Sequence, residues 1–187
     1  MNIGFDLDDT LTDIQDDLFK LAVEYDKTLR GKGIVNKDKI FIGEKFDWSQ
    51  EERDYFLKNI RLKTVLNARV RDGVIETFKE LKKKGYKIII ITARSNKYYD
   101  DPDKITINYL NKMGILYDKV ITNSLDKYEV CKKENISYFI DDNLDNCLSV
   151  SKLNIKVFLL DIGLYKDLNY KNIIKIANIK EILKYMR

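Results

Sequence analysis

The sequence predicts an α/β protein: a parallel sheet with helices on both faces. Three observations predict it. From residue 72 onward, short apolar runs alternate with amphipathic stretches, the pattern of strands and helices taking turns along a parallel sheet. Lys87-Ile-Ile-Ile-Ile-Thr92 is a continuous β-branched run, which suits a strand buried on both faces. Polar residues gather just after the apolar runs, and in an open parallel sheet ligands bind beyond the carboxyl ends of the strands.

Taken in order, residues 3–5 form the first strand. Ile14, Leu18, Leu21, Ala22 and Tyr25 fall at helical spacing. Residues 30–47, with Gly31, Gly33 and Gly43, read as irregular. Ser49-Gln-Glu-Glu52 is a capping box, so a helix starts there and runs to about Ile60. Asp72 is the expected N-cap of the next helix, with Ile75, Phe78 and Leu81 on one face and Gly85 as its stop. After the 87–92 strand, Asp101-Pro102 supplies an N-cap and a proline at the first helical position, and that helix ends near Gly114. Strands come next at 119–122, 137–140 and 155–160, separated by helices at 127–134 and 143–152. A short strand at 173–176 and a helix at 178–186 close the chain. Residues 13–71 are mostly helical and aromatic and lack a convincing strand pair. They read as a helical insertion after the first strand, giving a core of 1–12 and 72–187 and a cap of 13–71.

Composition narrows the chemistry. A length of 187 residues is enough for one domain with an insertion. The net charge of +4 comes from lysines that are spread rather than clustered, a solvated surface rather than a nucleic-acid face. Cys131 and Cys147 are too few for a disulfide framework or a zinc site and fit buried thiols in a reducing, cytoplasmic setting. No basic leader with an apolar stretch opens the sequence, and no run approaches membrane-spanning length. There is no His, so a His-based triad is excluded and acid–base work falls to Asp, Glu, Lys, Tyr or Cys.

The first apolar run ends in Asp6, Asp8 and Asp9, the second in Thr92, Ala93 and Arg94, the third in Thr122, Asn123 and Ser124 with Lys127 shortly after, and the fourth in Asp141 and Asp142. Carboxylates held together are unfavourable unless a cation neutralises them. No His or Cys ligands accompany them, and Mg²⁺ fits an all-oxygen set completed by water and a substrate phosphate. Thr92 and Lys127 suit phosphate oxygens. Together the residues describe phosphoryl transfer, in which positioning and charge neutralisation do most of the catalysis.

These residues resemble the motifs of the haloacid dehalogenase superfamily. FDLDDTLTD resembles its first motif, IIIITARS its second, Lys127 in SLDKYEVCKKENI its third, and YFIDDN its fourth, all in the family's order. The series TARS, NYLNKMGI, KVITN and FIDDNLDNC is similar to bacterial members of the 5′(3′)-deoxyribonucleotidase-like group. The resemblance implies a three-layer Rossmann-like fold with parallel strand order 5-4-1-2-3 and a small helical cap inserted after strand 1. It implies Asp6 as nucleophile through an aspartyl-phosphate and Asp8 as general acid and then base. Metal ligands would be Asp6, the backbone carbonyl of Asp8, and Asp141 and Asp142. Phosphate would be held by Thr92, Lys127 and backbone amides near Asp8, Asp9 and Ala93. Asp8 separates the chain from the dehalogenases, which lack an acid at that position, and from the ion pumps, which carry Thr there.

Three departures qualify the match. Asp9 stands where many relatives have Gly and reads first as a turn residue. Asp145 leaves an Asp141/Asp145 metal pair open beside the preferred Asp141/Asp142. Ala93 replaces a second hydroxyl found in some nucleotidases. Arg94, Phe46 and Trp48 are the candidate substrate contacts, the aromatics by stacking on a base; Tyr98 and Tyr99 read as loop packing. The expected activity is hydrolysis of a nucleoside monophosphate. Sugar phosphates, nucleic-acid phosphate ends and non-catalytic nucleotide binding are the alternatives. The oligomeric state is left open, a homodimer included.

Overall fold

The computed structural model describes residues 1–165 and 170–186. Six parallel strands form the central sheet: β1 (Asn2–Phe5), β4 (Lys87–Ile91), β5 (Lys119–Ile121), β6 (Ile136–Asp141), β7 (Lys156–Leu160) and β8 (Ile173–Ile176). Their order is β5-β4-β1-β6-β7-β8. The expected order therefore holds for five strands, and β8 extends the sheet beyond β7 by a sixth.

The alternation of side chains along each strand explains the layers. Ile88 and Ile90 of β4, with Ile3 and Phe5 of β1, pack into one cluster with Val74, Phe78 and Leu81 of α5 (Val74–Lys83) and Tyr109 and Leu110 of α6 (Pro102–Lys112). A closing 3₁₀-helix, Ile179–Tyr185, adds Ile179 and Ile182 to that face. Ile89 and Ile91 point the other way, onto Cys131 of α7 (Lys127–Lys133) and Cys147 and Val150 of α8 (Leu144–Ser151). The β-branched run is thus buried on both faces, as its composition predicts. Gly4 in central β1 is demanded by the same packing: a Cβ there would lie 2.9 Å from Ile91 Cδ1 and 3.1 Å from Phe139 Cδ2.

Most boundaries fall where the caps place them. Asp101 accepts the Lys104 N–H at 2.9 Å, with Pro102 as the first helical residue. Asp72 is not the cap of α5; Gly73 is, at φ 88°. A Cβ on Gly73 would sit 2.8 Å from Lys180 side-chain atoms, so the left-handed turn and the closing helix together require glycine there.

Between β1 and α5 lie α1 (Gln15–Leu29), α2 (Ile42–Lys45), α3 (Gln50–Tyr55) and α4 (Arg61–Leu66). The Ser49 capping box forms as read. The helix it starts does not stop near Ile60; a π-helical turn, Phe56–Ile60, carries it into α4. Two-residue strands β2 (Thr12–Asp13) and β3 (Arg69–Val70) pair antiparallel at the base of this segment, a strand pair the sequence did not announce. Leu18, Ala22, Ile42, Phe46, Trp48 and Phe56 give the helices a hydrophobic cluster of their own.

Candidate active site

Strand register brings the site residues together. The Asp6 N–H donates to the Ile140 carbonyl at 2.9 Å, and the Thr92 N–H to Ile121 at 2.9 Å. These bonds align the carboxyl ends of β1, β6, β4 and β5, so the residues just past those ends share one edge of the sheet.

Asp6 is buried there. Lys127, at the first turn of α7, reaches across and donates to Asp6 Oδ1 at 2.8 Å and to the Ile91 carbonyl. Its aim is fixed by Asp126, the N-cap of α7, whose side chain accepts the Glu129 N–H at 3.1 Å. Burial pushes Asp6 above the ordinary carboxylate range; the Lys127 charge and hydrogen bond oppose that push without cancelling it.

Asp141 and Asp142 close on Asp6 from the end of β6. Ligand oxygens of Asp6, Asp141 and Asp142 all lie within 4.8 Å of one another. Burial and the neighbouring Asp6 charge raise Asp141 to about 8. Burial first, then Asp141 and Asp6, raise Asp142 well above its usual range. Asp141 is steered by the Asn143 N–H at 2.8 Å and Asn146 Nδ2 at 2.9 Å. Thr10 Oγ1 donates to Asp142 Oδ1 at 2.7 Å. Three clustered carboxylates with one lysine form a hard-oxygen set that fits a small divalent cation such as Mg²⁺. Asp145 is exposed on α8 and lies outside the trio.

Asp8 is held apart from this trio. Arg94 Nε donates to Asp8 Oδ2 at 3.0 Å and Nη2 to Oδ1 at 2.7 Å, a bidentate clamp. Burial raises Asp8, but Arg94 above all, with Arg61 and Lys127, outweighs it and holds the carboxyl below its ordinary value. Thr92 is buried, and its hydroxyl accepts the Arg94 N–H at 3.2 Å. Ala93, between them, is exposed.

Asp9 takes the turn role read for it, while Phe46 and Trp48 lie in a core. Asp9 takes φ 67°; its N–H donates to Thr12 Oγ1 at 3.3 Å, and its carboxylate receives the Ile14 N–H at 3.3 Å and Gln15 Nε2 at 2.7 Å. It fastens the turn into α1, and burial first, then the adjacent Asp8, raises it to about 6. Phe46 and Trp48 are buried, and their rings stack on each other at 4.7 Å. Trp48 Nε1 donates to the buried Asp26 at 2.9 Å. These aromatics form the core of the helical segment, so neither ring is presented to a base.

Thr10, Asn146, Arg61 and Tyr99 belong to the site's surroundings, and sequence reasoning does not assign them to it. The Thr at position 10 lies inside the first acidic motif, which is the available signal. Arg61 and Tyr99 carry none, because their nearness to Asp8 depends on how distant segments pack.

Carboxylates gathered at the switch point of a parallel sheet occupy the place where ligands bind in this class of fold. A profile of haloacid dehalogenase-like hydrolases matches residues 1–142, and the chain belongs to that family. It is 30% identical over 185 residues to a nucleotidase of Clostridium acetobutylicum, covering 97% of this chain and 91% of the relative. A haloacid dehalogenase-like hydrolase from Streptococcus pneumoniae superposes with TM-score 0.70 at 17% identity, covering 100% of this chain and 98% of that one. A Geobacter sulfurreducens hydrolase of the same superfamily gives 0.62 at 13% identity, covering 100% and 96%. At those identities the two structures speak to the fold alone.

Proposed function

We propose that this chain is a Mg²⁺-dependent phosphomonoesterase that works through an aspartyl-phosphate on Asp6, with nucleoside monophosphates as substrates. The observation that carries the chemistry is the convergence of Lys127, Asp141 and Asp142 on Asp6. The substrate class rests on similarity to a nucleotidase over nearly the whole chain.

In this reading Asp6, Asp141, Asp142 and the Asp8 carbonyl would hold the cation, which when bound would offset the charge of carboxylates and phosphate brought together. Lys127 and Thr92 hold the phosphoryl oxygens. A carboxylate oxygen of Asp6 attacks phosphorus while the ester P–O bond breaks, and the departing oxygen takes a proton from Asp8. Water then attacks the phosphoryl group and gives a proton to Asp8. The bond from phosphorus to Asp6 breaks, releasing phosphate and restoring both carboxyl groups. Arg94 holds the Asp8 carboxyl low in the substrate-free site; a phosphate ester arriving as its monoanion raises the proton affinity of Asp8 and supplies the proton that Asp8 passes to the departing oxygen, and the proton Asp8 then gains from water leaves with the product.

The segment 13–71 serves as a cap over the core in this reading. Asp54 of α3 accepts bonds from Lys97 at 3.0 Å and Tyr98 at 3.2 Å, both just beyond the second motif, so the cap meets the core beside the site. A cap there excludes bulk water and suits small substrates. The test is phosphate release from a panel of nucleoside, sugar and aryl monophosphates. Turnover that ranks by base supports the nucleotidase reading; turnover indifferent to base rejects it.

A further inference from the structure

The surroundings of Asp8 hold more donor capacity than Asp8 can use. Arg94 already engages both of its oxygens. A second guanidinium, Arg61, stands 3.6 Å from Asp8 Oδ2, beyond hydrogen-bond reach. Among the described residues, Arg61 Nε is buried without a hydrogen-bond partner, and so are Arg94 Nη1 and the Tyr99 hydroxyl. Burial pushes the Tyr99 phenol up, against the pull of the Arg61 and Arg94 charges. Two guanidinium groups thus converge on one carboxylate, and each keeps a buried donor that the carboxylate does not engage.

Unpaired buried donors are costly, and a guanidinium recovers most by meeting a planar oxyanion with its fork. The Arg61 side chain keeps 23% of its exposure, while Arg94 and Tyr99 are buried, so Arg61 is the member of the cluster that solvent reaches. Arg61 is the first residue after the π-helical turn Phe56–Ile60. Such a turn adds a residue to the helical repeat and redirects the side chains of the next turn, here toward Asp8. In the proposed mechanism Asp8 serves the departing oxygen, so groups clustered on Asp8 face the leaving group.

We propose that Arg61, with the Tyr99 hydroxyl, forms a recognition site for an oxyanion carried on the leaving-group part of the substrate, a carboxylate or a second phosphate. This rests on the phosphomonoesterase reading and, in place of the nucleoside monophosphates proposed above, makes the preferred ester one that carries a second negative group. For a nucleotide substrate that group is a second phosphate on the sugar.

The test compares kcat/KM within matched pairs, so the readout is a ratio. One pair is phosphoglycolate against 2-hydroxyethyl phosphate; the other is a nucleoside 3′,5′-bisphosphate against the 5′-monophosphate. Wild type should prefer the doubly anionic member of at least one pair by about tenfold or more, and the pair that shows it identifies the oxyanion. Arg61→Gln should bring that ratio near one, Arg61→Lys should leave it intermediate, and Tyr99→Phe should lower it. A wild-type ratio near one in both pairs, or a ratio unmoved by Arg61→Gln and Tyr99→Phe, overturns the inference while leaving the phosphatase intact. If no ester turns over, the phosphatase reading fails by itself. Calorimetric binding of the same pairs to wild type and Arg61→Gln then decides the oxyanion site by the same ratio.

Discussion

Arg94 grips both carboxylate oxygens of Asp8, at 2.7 and 3.0 Å, from a side chain with no exposed surface. The clamp orients the expected acid–base group, so Arg94→Ala should lower kcat by about 10² or more, as loss of a positioned proton donor does. It should also destabilise the fold by about 3 kcal/mol, since one half of a buried pair is left behind. Turnover and urea unfolding of the same variant check the two effects separately.

Cation binding should tighten as pH rises. Asp141 titrates at about 8 in the metal-free protein, raised by burial and by Asp6. A carboxyl raised above its unfolded value of 3.8 takes up a proton on folding, so its contribution to stability falls as pH climbs from about 4 through 8. A divalent cation must displace that proton at pH 6 and less so at pH 8.5. The rise in Tm on adding Mg²⁺ should therefore be larger at pH 8.5, and thermal melts at the two pH values read it directly.

Trp48 is a core residue of the helical segment, stacked on Phe46 and bonded to Asp26. Trp48→Ala should cost about 3–5 kcal/mol, the range for a buried large aromatic, and it also strips Asp26 of a buried donor. If Trp48 instead stacked on substrate, the loss would appear in KM with stability nearly unchanged. Denaturant unfolding alongside KM distinguishes them.

Gly4→Ala tests the sheet packing. The added methyl meets Ile91 and Phe139 at 2.9 and 3.1 Å, which should destabilise by about 1–3 kcal/mol, read as a lower urea midpoint.

The core was legible because its signals are local. An isoleucine run marks β4, Asp101-Pro102 marks the start of α6, and acidic residues at strand ends mark the sheet edge. Asp6, Asp141 and Asp142 stand among those strand-end acids, and the family resemblance, not the pattern, marks them as ligands. Other features depend on distance or orientation. A two-residue ladder such as Thr12–Asp13 with Arg69–Val70 is too short to show alternation. The π-helical turn leaves no mark in Phe56–Ile60. Composition identified Phe46 and Trp48 as large aromatics but not the side they face. Arg61 reaches Asp8 across more than fifty residues of chain, and only the packed structure brings them to 3.6 Å.

Asp6→Asn with and without Mg²⁺ is the decisive experiment for the chemistry, because the substitution keeps the side chain's shape and removes the nucleophilic charge. With Asp6 as nucleophile, wild type releases phosphate only with Mg²⁺, Asp6→Asn releases none, and a phosphoryl group can be trapped on Asp6 during turnover of wild type. Full turnover by Asp6→Asn, free of contaminating phosphatase, would place the nucleophile elsewhere and refute the mechanism.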